Sequence, residues 1–157
     1  MIEAGGSIEV AVAIEDAWRT LTDLPSYPLW NPFVVRIESG PDPVRVGDRL
    51  RLHVRWPDGR GGERVDELVT TVHPPTVDAA GVARAEFAYR YVSWLGRLGL
   101  VRAVRTQVLT QPPGGPTTYT TREEFQGPLA RFVPLARVQA GFDAQLQAMR
   151  AWLERTA

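Results

Sequence analysis

Apolar residues at Phe132, Leu135, Val138, Phe142, Leu146, Met149 and Leu153 recur at helical spacing near the end of the chain. The pattern predicts a closing helix of about six turns. Gln139, Asp143, Gln145, Arg150 and Glu154 occupy other positions around it. Pro134 suits the first regular turn of its main body, which leaves Gly127–Val133 as a looser entry. Gly141 lies mid-helix, where it costs about 1 kcal/mol relative to Ala. A gap or a close approach on the covered side would explain it.

Upstream the period changes from helical to two. Residues 7–13 alternate with Ile8, Val10 and Val12 on one face, predicting a first strand. Glu15 and Asp16 open a short helix to Thr22, and a second helical piece spans Ser26–Trp30 among prolines. Phe33–Ser39 alternates with Phe33, Val35 and Ile37 together, and Asp48–Trp56 sets Leu50, Leu52, Val54 and Trp56 against Arg49, Arg51, His53 and Arg55. Asp58–Gly62 has hairpin composition, and its return strand runs from Glu63 to Val72, before Pro74 and Pro75. Ala83–Tyr91 aligns Ala85, Phe87, Tyr89 and Tyr91 on one face. Strands at about 102–110 and 117–125 flank the turn Pro112–Pro116, the second aligning Thr117, Tyr119, Thr121, Glu123 and Phe125.

The predicted order is a strand, two small helices, about six antiparallel strands and one long helix. This is an α+β class, and the whole chain, 1–157, reads as one domain. One-sided alternation gives the sheet one wet and one covered face. A single helix covers only the middle of a curved sheet, so closure leaves a hollow.

Composition narrows the chemistry. Eighteen basic residues balance eighteen acidic ones, which points to neither nucleic acid nor an anionic membrane as partner. No apolar run is long enough to span a bilayer and no signal-peptide pattern opens the chain, so the expectation is a cytoplasmic protein. Cys and Lys are both absent, which excludes thiolate and Schiff-base chemistry, and no nucleophile-elbow or dinucleotide motif occurs. His53 and His73 fall about 20 Å apart along the predicted hairpin and cannot share a metal ion. The expectation is therefore no metal and no cofactor.

Candidate residues come from the inward faces. If the Asp58–Gly62 turn sets the register, Leu52 faces Glu67 and Val54 faces Val65, so Glu67 points inward among apolar residues. A slip of one residue puts Asp66 inside instead. An inward carboxyl has its pKa raised by desolvation and can act as an acid or hold a ligand hydroxyl. Glu123 shares its face with Tyr119, Thr121 and Phe125, and Tyr89 and Tyr91 share theirs with Phe87. Glu67, Glu123 and Tyr89 are thus the catalytic candidates. Leu52, Val54, Trp56, Phe87, Tyr89, Tyr91, Tyr119, Thr121, Val138, Phe142, Leu146 and Met149 are expected to line the ligand space. The segment Trp94–Leu100 carries Trp, three Leu and two Gly, and reads as a gate, a packing loop or a homodimer contact.

The chain also resembles a known superfamily. The matching stretches are Ile8–Val10 before the Ala17–Arg19 helix, Tyr27–Phe33, Val46–Asp48, Val69–Pro75, and Thr121–Gly127 before the long helix. Together they resemble the START-like, helix-grip superfamily (SRPBCC), specifically its polyketide cyclase/dehydrase and lipid-transport-like group. The resemblance implies about seven strands wrapped round the C-terminal helix, with a cavity for an apolar or aromatic molecule. It adds Trp30, Asn31 and Phe33 to the expected ligand contacts, Trp30 at the cavity mouth. Two functions follow: carriage of a hydrophobic, aromatic or polyketide-like molecule, or a cofactor-independent aromatase/cyclase or dehydratase. Catalysis predicts Glu67 or Glu123 within hydrogen-bond reach of a Tyr or Arg beside open volume, and an all-apolar cavity would exclude it. A cavity too small for any ligand would leave an interaction module.

Overall fold

A computed structural model describes every residue, Met1–Ala157. Its strands are β1 (Ile2–Val10), β2 (Val34–Glu38), β3 (Arg49–Arg55), β4 (Gly62–Val77), β5 (Ala83–Tyr91), β6 (Arg102–Gln111) and β7 (Thr117–Gln126). They form one antiparallel sheet in the order β1-β7-β6-β5-β4-β3-β2. The helices are α1 (Ile14–Thr22), α2 (Tyr27–Trp30), α3 (Trp94–Arg97) and α4 (Leu135–Thr156). This is the expected helix-grip arrangement. No helix is long and apolar enough to cross a membrane.

Three boundaries differ from the sequence reading, each for a local reason. β1 begins at Ile2, because Gly5 and Gly6 pair in the ladder with Arg122 and Thr121 instead of breaking it. A Cβ on Gly5 would collide with the Thr121 carbonyl oxygen. In β2 the ladder slips between Val34 and Arg36, so Val34 and Ile37 are the buried pair and Val35 is not. A bulge of this kind breaks strict alternation. β4 runs through Pro74 and Pro75 to Val77. Its pairing with β3 ends at Leu68, so the prolines sit where only β5 is a neighbour and no donor is required on the other side.

The long helix behaves as its sequence suggests. Pro134 precedes its first turn, and a short 3-10 turn at Ala130–Phe132 forms the looser entry. Gly141 marks a close approach: a Cβ there would lie 2.3 Å from the Phe33 ring. That ring is itself held against Trp56 and, edge-on, against Phe142. Gly141→Ala therefore sets a gain of about 1 kcal/mol in helix propensity against overpacking that costs about 1–3 kcal/mol. With Phe33 hemmed in, overpacking wins. Urea denaturation is expected to show a net loss of up to about 2 kcal/mol; a more stable variant would mean that the Phe33 ring yields.

The helix lies against β1 along one side. At the far half of α4, the Leu146 side chain enters the space left by the missing side chain of Gly6, 2.9 Å from where a Cβ would be. The Gln139 amide bonds both backbone groups of Gly5, donating to its oxygen (2.9 Å) and accepting from its nitrogen (3.0 Å). These contacts press α4 onto β1. The near half of the helix, at Val138 and Phe142, stands over open volume.

Candidate functional site

That volume is a cavity of about 390 Å³, bounded by β3–β7, the segment around Leu95 and the first half of α4. A space of this size holds a small organic molecule. Its wall is mostly apolar and includes Phe33, Val34, Leu52, Val54, Trp56, Tyr91, Ala103, Phe125, Val138 and Phe142. Exposed residues at its boundary, among them Glu63, Arg64, Phe132 and Pro134, mark the mouth. Behind the mouth, Glu67, Tyr89, Arg105 and Glu123 interrupt the apolar lining with polar groups.

The sheet register assembles them. Tyr89 on β5 pairs with Arg105 on β6, which pairs with Glu123 on β7, so the three form one row across neighbouring strands. Glu67 on β4 pairs with Tyr91, one inward position along from Tyr89. The β3–β4 turn runs through Pro57–Arg60, with Trp56 N–H donating to the Gly61 oxygen. This places Leu50 opposite Glu67 and Leu52 opposite Val65, two residues away from the predicted register. A two-residue shift preserves the face. Glu67 is therefore inside, and Asp66 outside pairs with Arg51 at 2.8 Å.

Arg105 is the centre of the site, although sequence reasoning missed it. It is only 3% exposed, yet no carboxylate lies within ion-pair distance of it. Its Nε donates to Thr121 Oγ1 (3.0 Å), Nη1 to the Tyr89 hydroxyl (3.1 Å) and Nη2 to Gln145 Oε1 (3.0 Å). The guanidinium lies over the Phe142 ring, 4.4 Å from its centroid. A guanidinium has five N–H donors, so these three bonds leave two with no protein acceptor within bonding geometry.

The arginine also fixes its neighbours. Because Arg105 can only donate, Gln145 must present its oxygen to it and its Nε2 to the Tyr119 hydroxyl (3.0 Å). Tyr119 then donates to Gln107 Oε1 (2.6 Å). Gln107 Nε2, at the end of the chain, has no partner. Helix α4 is thus joined to β6 and β7 through a fully buried polar chain.

The carboxyls are held differently. Neither Glu67 nor Glu123 accepts a hydrogen bond from the protein, so burial acts on them with little relief. Burial pushes Glu123 up to about 7, against the pull of Arg105. Burial, then the nearby Glu123 charge, holds Glu67 well above the usual carboxylate range. Desolvation likewise raises the Tyr89 hydroxyl, so it is a neutral donor and acceptor at ordinary pH. Burial disfavours charge on Arg105, but the Tyr89 and Tyr119 hydroxyls and the Glu123 carboxyl around it offset that, and the guanidinium remains a cation. At its polar end the cavity offers a fixed cation with spare donors beside two proton-holding carboxyls.

Of the expected ligand contacts, Phe33, Leu52, Val54, Trp56, Tyr89, Tyr91, Val138 and Phe142 line the cavity, together with Glu67 and Glu123. The others lie off the wall. Trp30 packs against Tyr27, ring centroids 5.0 Å apart, away from the mouth where it was expected. Asn31 is structural: its Oδ1 accepts from the backbone N–H groups of Phe33 (2.9 Å) and Val34 (3.0 Å). Phe87 is core, edge-on to Tyr89. Tyr119 and Thr121 support the cavity through the buried chain and Arg105 without lining it. Leu146 and Met149 are core residues off the cavity wall, Leu146 lying against Gly6. The expected bond from Glu67 or Glu123 to a Tyr or Arg is also not made; the polar pair beside the open volume is Arg105–Tyr89.

A family model described as polyketide cyclase / dehydrase and lipid transport matches residues 1–154. Among solved structures, a hypothetical protein of Helicobacter pylori is similar with TM-score 0.68 at 14% identity, over 96% of this chain and 87% of its own. The Zhui aromatase/cyclase from a Streptomyces species is similar with TM-score 0.66 at 19% identity, over 98% and 94%. A START superfamily protein from Mycobacterium smegmatis gives 0.63 at 16% identity, over 99% of both chains. The sequence matches no curated protein.

Proposed function

Because the chain belongs to the polyketide cyclase/dehydrase and lipid-transport family, we propose that it binds an aromatic or polyketide-like molecule whose oxygen substituents face Arg105. The observation that carries this reading is a buried arginine with no ion-pair partner and two spare donors, set in the wall of an otherwise apolar cavity. A buried cation without a counter-charge favours a ligand oxygen that is anionic or strongly polarised, such as a carboxylate, phenolate or enolisable ketone. The apolar wall takes the ring system, with Phe33, Trp56 and Phe142 as its aromatic surfaces.

The same groups support a second reading, cyclisation or dehydration of such a ligand. Arg105 and the Tyr89 hydroxyl would polarise a carbonyl, and Glu123, poised near neutrality, would take or return a proton. Carriage requires only the first of these interactions. Turnover requires Glu123 as well, so a Glu123→Gln protein that binds a polyketide-like substrate normally yet fails to convert it would favour the enzyme.

Native mass spectrometry of the purified protein, with fluorescence titration using a hydroxyacetonaphthone, tests occupancy. One molecule per chain is expected to bind. Ala103→Phe, which projects a ring from β6 into open space, is expected to weaken binding at least about tenfold with little loss of stability. Undiminished binding to that variant would place the ligand elsewhere and overturn the reading.

A further inference from the structure

The inward row Tyr89–Arg105–Glu123 sets a carboxyl beside the guanidinium, yet the two do not pair. Glu123 lies directly opposite Arg105 on the neighbouring strand. Residues so placed have Cβ atoms about 4.5–5.5 Å apart. No hydrogen bond or ion pair joins them. Arg105 spends three donors on the neutral oxygens of Thr121, Tyr89 and Gln145 and keeps two. A glutamate at this position needs only a side-chain rotation to bring its carboxylate onto those two. The carboxyl of Glu123 and a ligand oxygen therefore have the same donors within reach.

Nothing else nearby offers Glu123 a counter-charge. Arg105 is the only buried arginine. Strand β4 brings Glu67 to the cavity, β5 brings Tyr89 and Tyr91, and Tyr119 stands two inward positions along β7. Strand β1 places Ala4 opposite Glu123, and α4 contributes the non-titrating Val138, Phe142 and Gln145. At the mouth the charges are matched: Glu63 stands beside Arg64, and Arg137 is bound to Asp58.

With Glu123 ionised against Arg105, the interior of the empty cavity is electrically neutral. An anion added to that state leaves one uncompensated negative charge in apolar surroundings, which is costly. The cost disappears if a proton joins the carboxyl as the anion arrives. We infer that Glu123 and an anionic ligand compete for the Arg105 guanidinium, so that the cavity takes up an aromatic carboxylate together with one proton. The proton comes from solvent and goes onto Glu123, no bond of the ligand changes, and the interior is neutral before and after. Burial holds Glu123 at about 7, so the exchange falls near neutral pH. Once ionised, Glu123 raises Glu67 further, which keeps the proton on the second carboxyl and leaves a single competitor. The inference rests on the ligand reading above and narrows its ligand to an anion.

The test is fluorescence titration with 2-naphthoate, which stays anionic from about pH 6 to pH 8, beside uncharged naphthalene. Affinity for 2-naphthoate is expected to fall about tenfold across that range, because above about 7 each pH unit makes the protonated carboxyl tenfold rarer. Affinity for naphthalene, which uses only the apolar wall, should hold constant. Calorimetry of the unmutated protein at about pH 8, in two buffers of different ionisation heat, should show close to one proton taken up per 2-naphthoate. Glu123→Gln, which cannot ionise, should bind 2-naphthoate equally at both ends of the range and take up no proton. A 2-naphthoate affinity that ignores pH, the absence of proton uptake, or a slope that survives Glu123→Gln would overturn the inference while naphthalene binding upheld the ligand reading. If neither probe enters at any pH, the ligand reading falls and the inference falls with it.

Discussion

Arg105→Met is expected to abolish the cavity's preference for oxygen-bearing aromatics while leaving the fold intact. Hydrogen bonds to a charged group contribute about 1.5–3 kcal/mol each, so loss of the two spare donors should weaken a hydroxyacetonaphthone by at least about a hundredfold. Naphthalene, which uses only the apolar wall, should bind nearly as before. Stability is the control. The substitution removes three hydrogen bonds but also removes the cost of burying a cation with no close counter-charge. These opposing terms should keep the variant within about 1–2 kcal/mol of the parent in urea denaturation. If both probes bind the variant as they bind the parent, the polar end of the cavity is not a ligand contact.

The second large effect is on pH. Glu123 has a folded-state pKa of about 7 against an ordinary value of 4.5, because burial disfavours its charge. A carboxyl whose pKa is raised on folding keeps its proton in the native state where the unfolded chain has lost it. Its contribution to stability is therefore complete below the unfolded value, falls across the window from 4.5 to about 7, and is gone above it. At about 1.4 kcal/mol per pH unit, the loss is on the order of 3 kcal/mol. Glu67, raised for the same reason, acts in the same direction. Glu38, Asp58 and Asp66 are lowered by surface hydrogen bonds and act oppositely, below the ordinary carboxylate range. The protein should thus be more stable at mildly acidic pH than at slightly alkaline pH in chemical denaturation. Glu123→Gln should flatten part of that slope and leave the share that Glu67 carries. An unchanged slope in the variant would assign the effect to Glu67.

The elements were legible because their periodicities were clean, and the inward face of β4 was legible despite an incorrect register. Parity survives a shift of two residues, and Glu67 stayed inside for that reason. Arg105 was not legible because β6 inverts the usual pattern. Its inward positions hold Ala103, Arg105, Gln107 and Leu109, while Val104 and Val108 face outward. Alternation by hydrophobicity alone therefore does not place the arginine inside. The signal was present in the neighbouring strand. Folding the hairpin about the Pro112–Pro116 turn pairs position 105 with Glu123, whose inward face had already been read from Tyr119 and Phe125. The depth of the cavity was not in the sequence at all. It depends on how far the first half of α4 stands from the sheet, a tertiary distance that helical spacing does not encode.

The buried chain from Arg105 through Gln145 and Tyr119 to Gln107 has one more consequence. Each member points the same way because the first can only give hydrogen bonds. Such a circuit runs in one direction and has no return: the guanidinium does not surrender a proton, and the amides do not carry one. It is a brace and not a wire. Any proton exchanged with a bound molecule must come from the other side of the guanidinium, where Glu67, Glu123 and Tyr89 border the cavity.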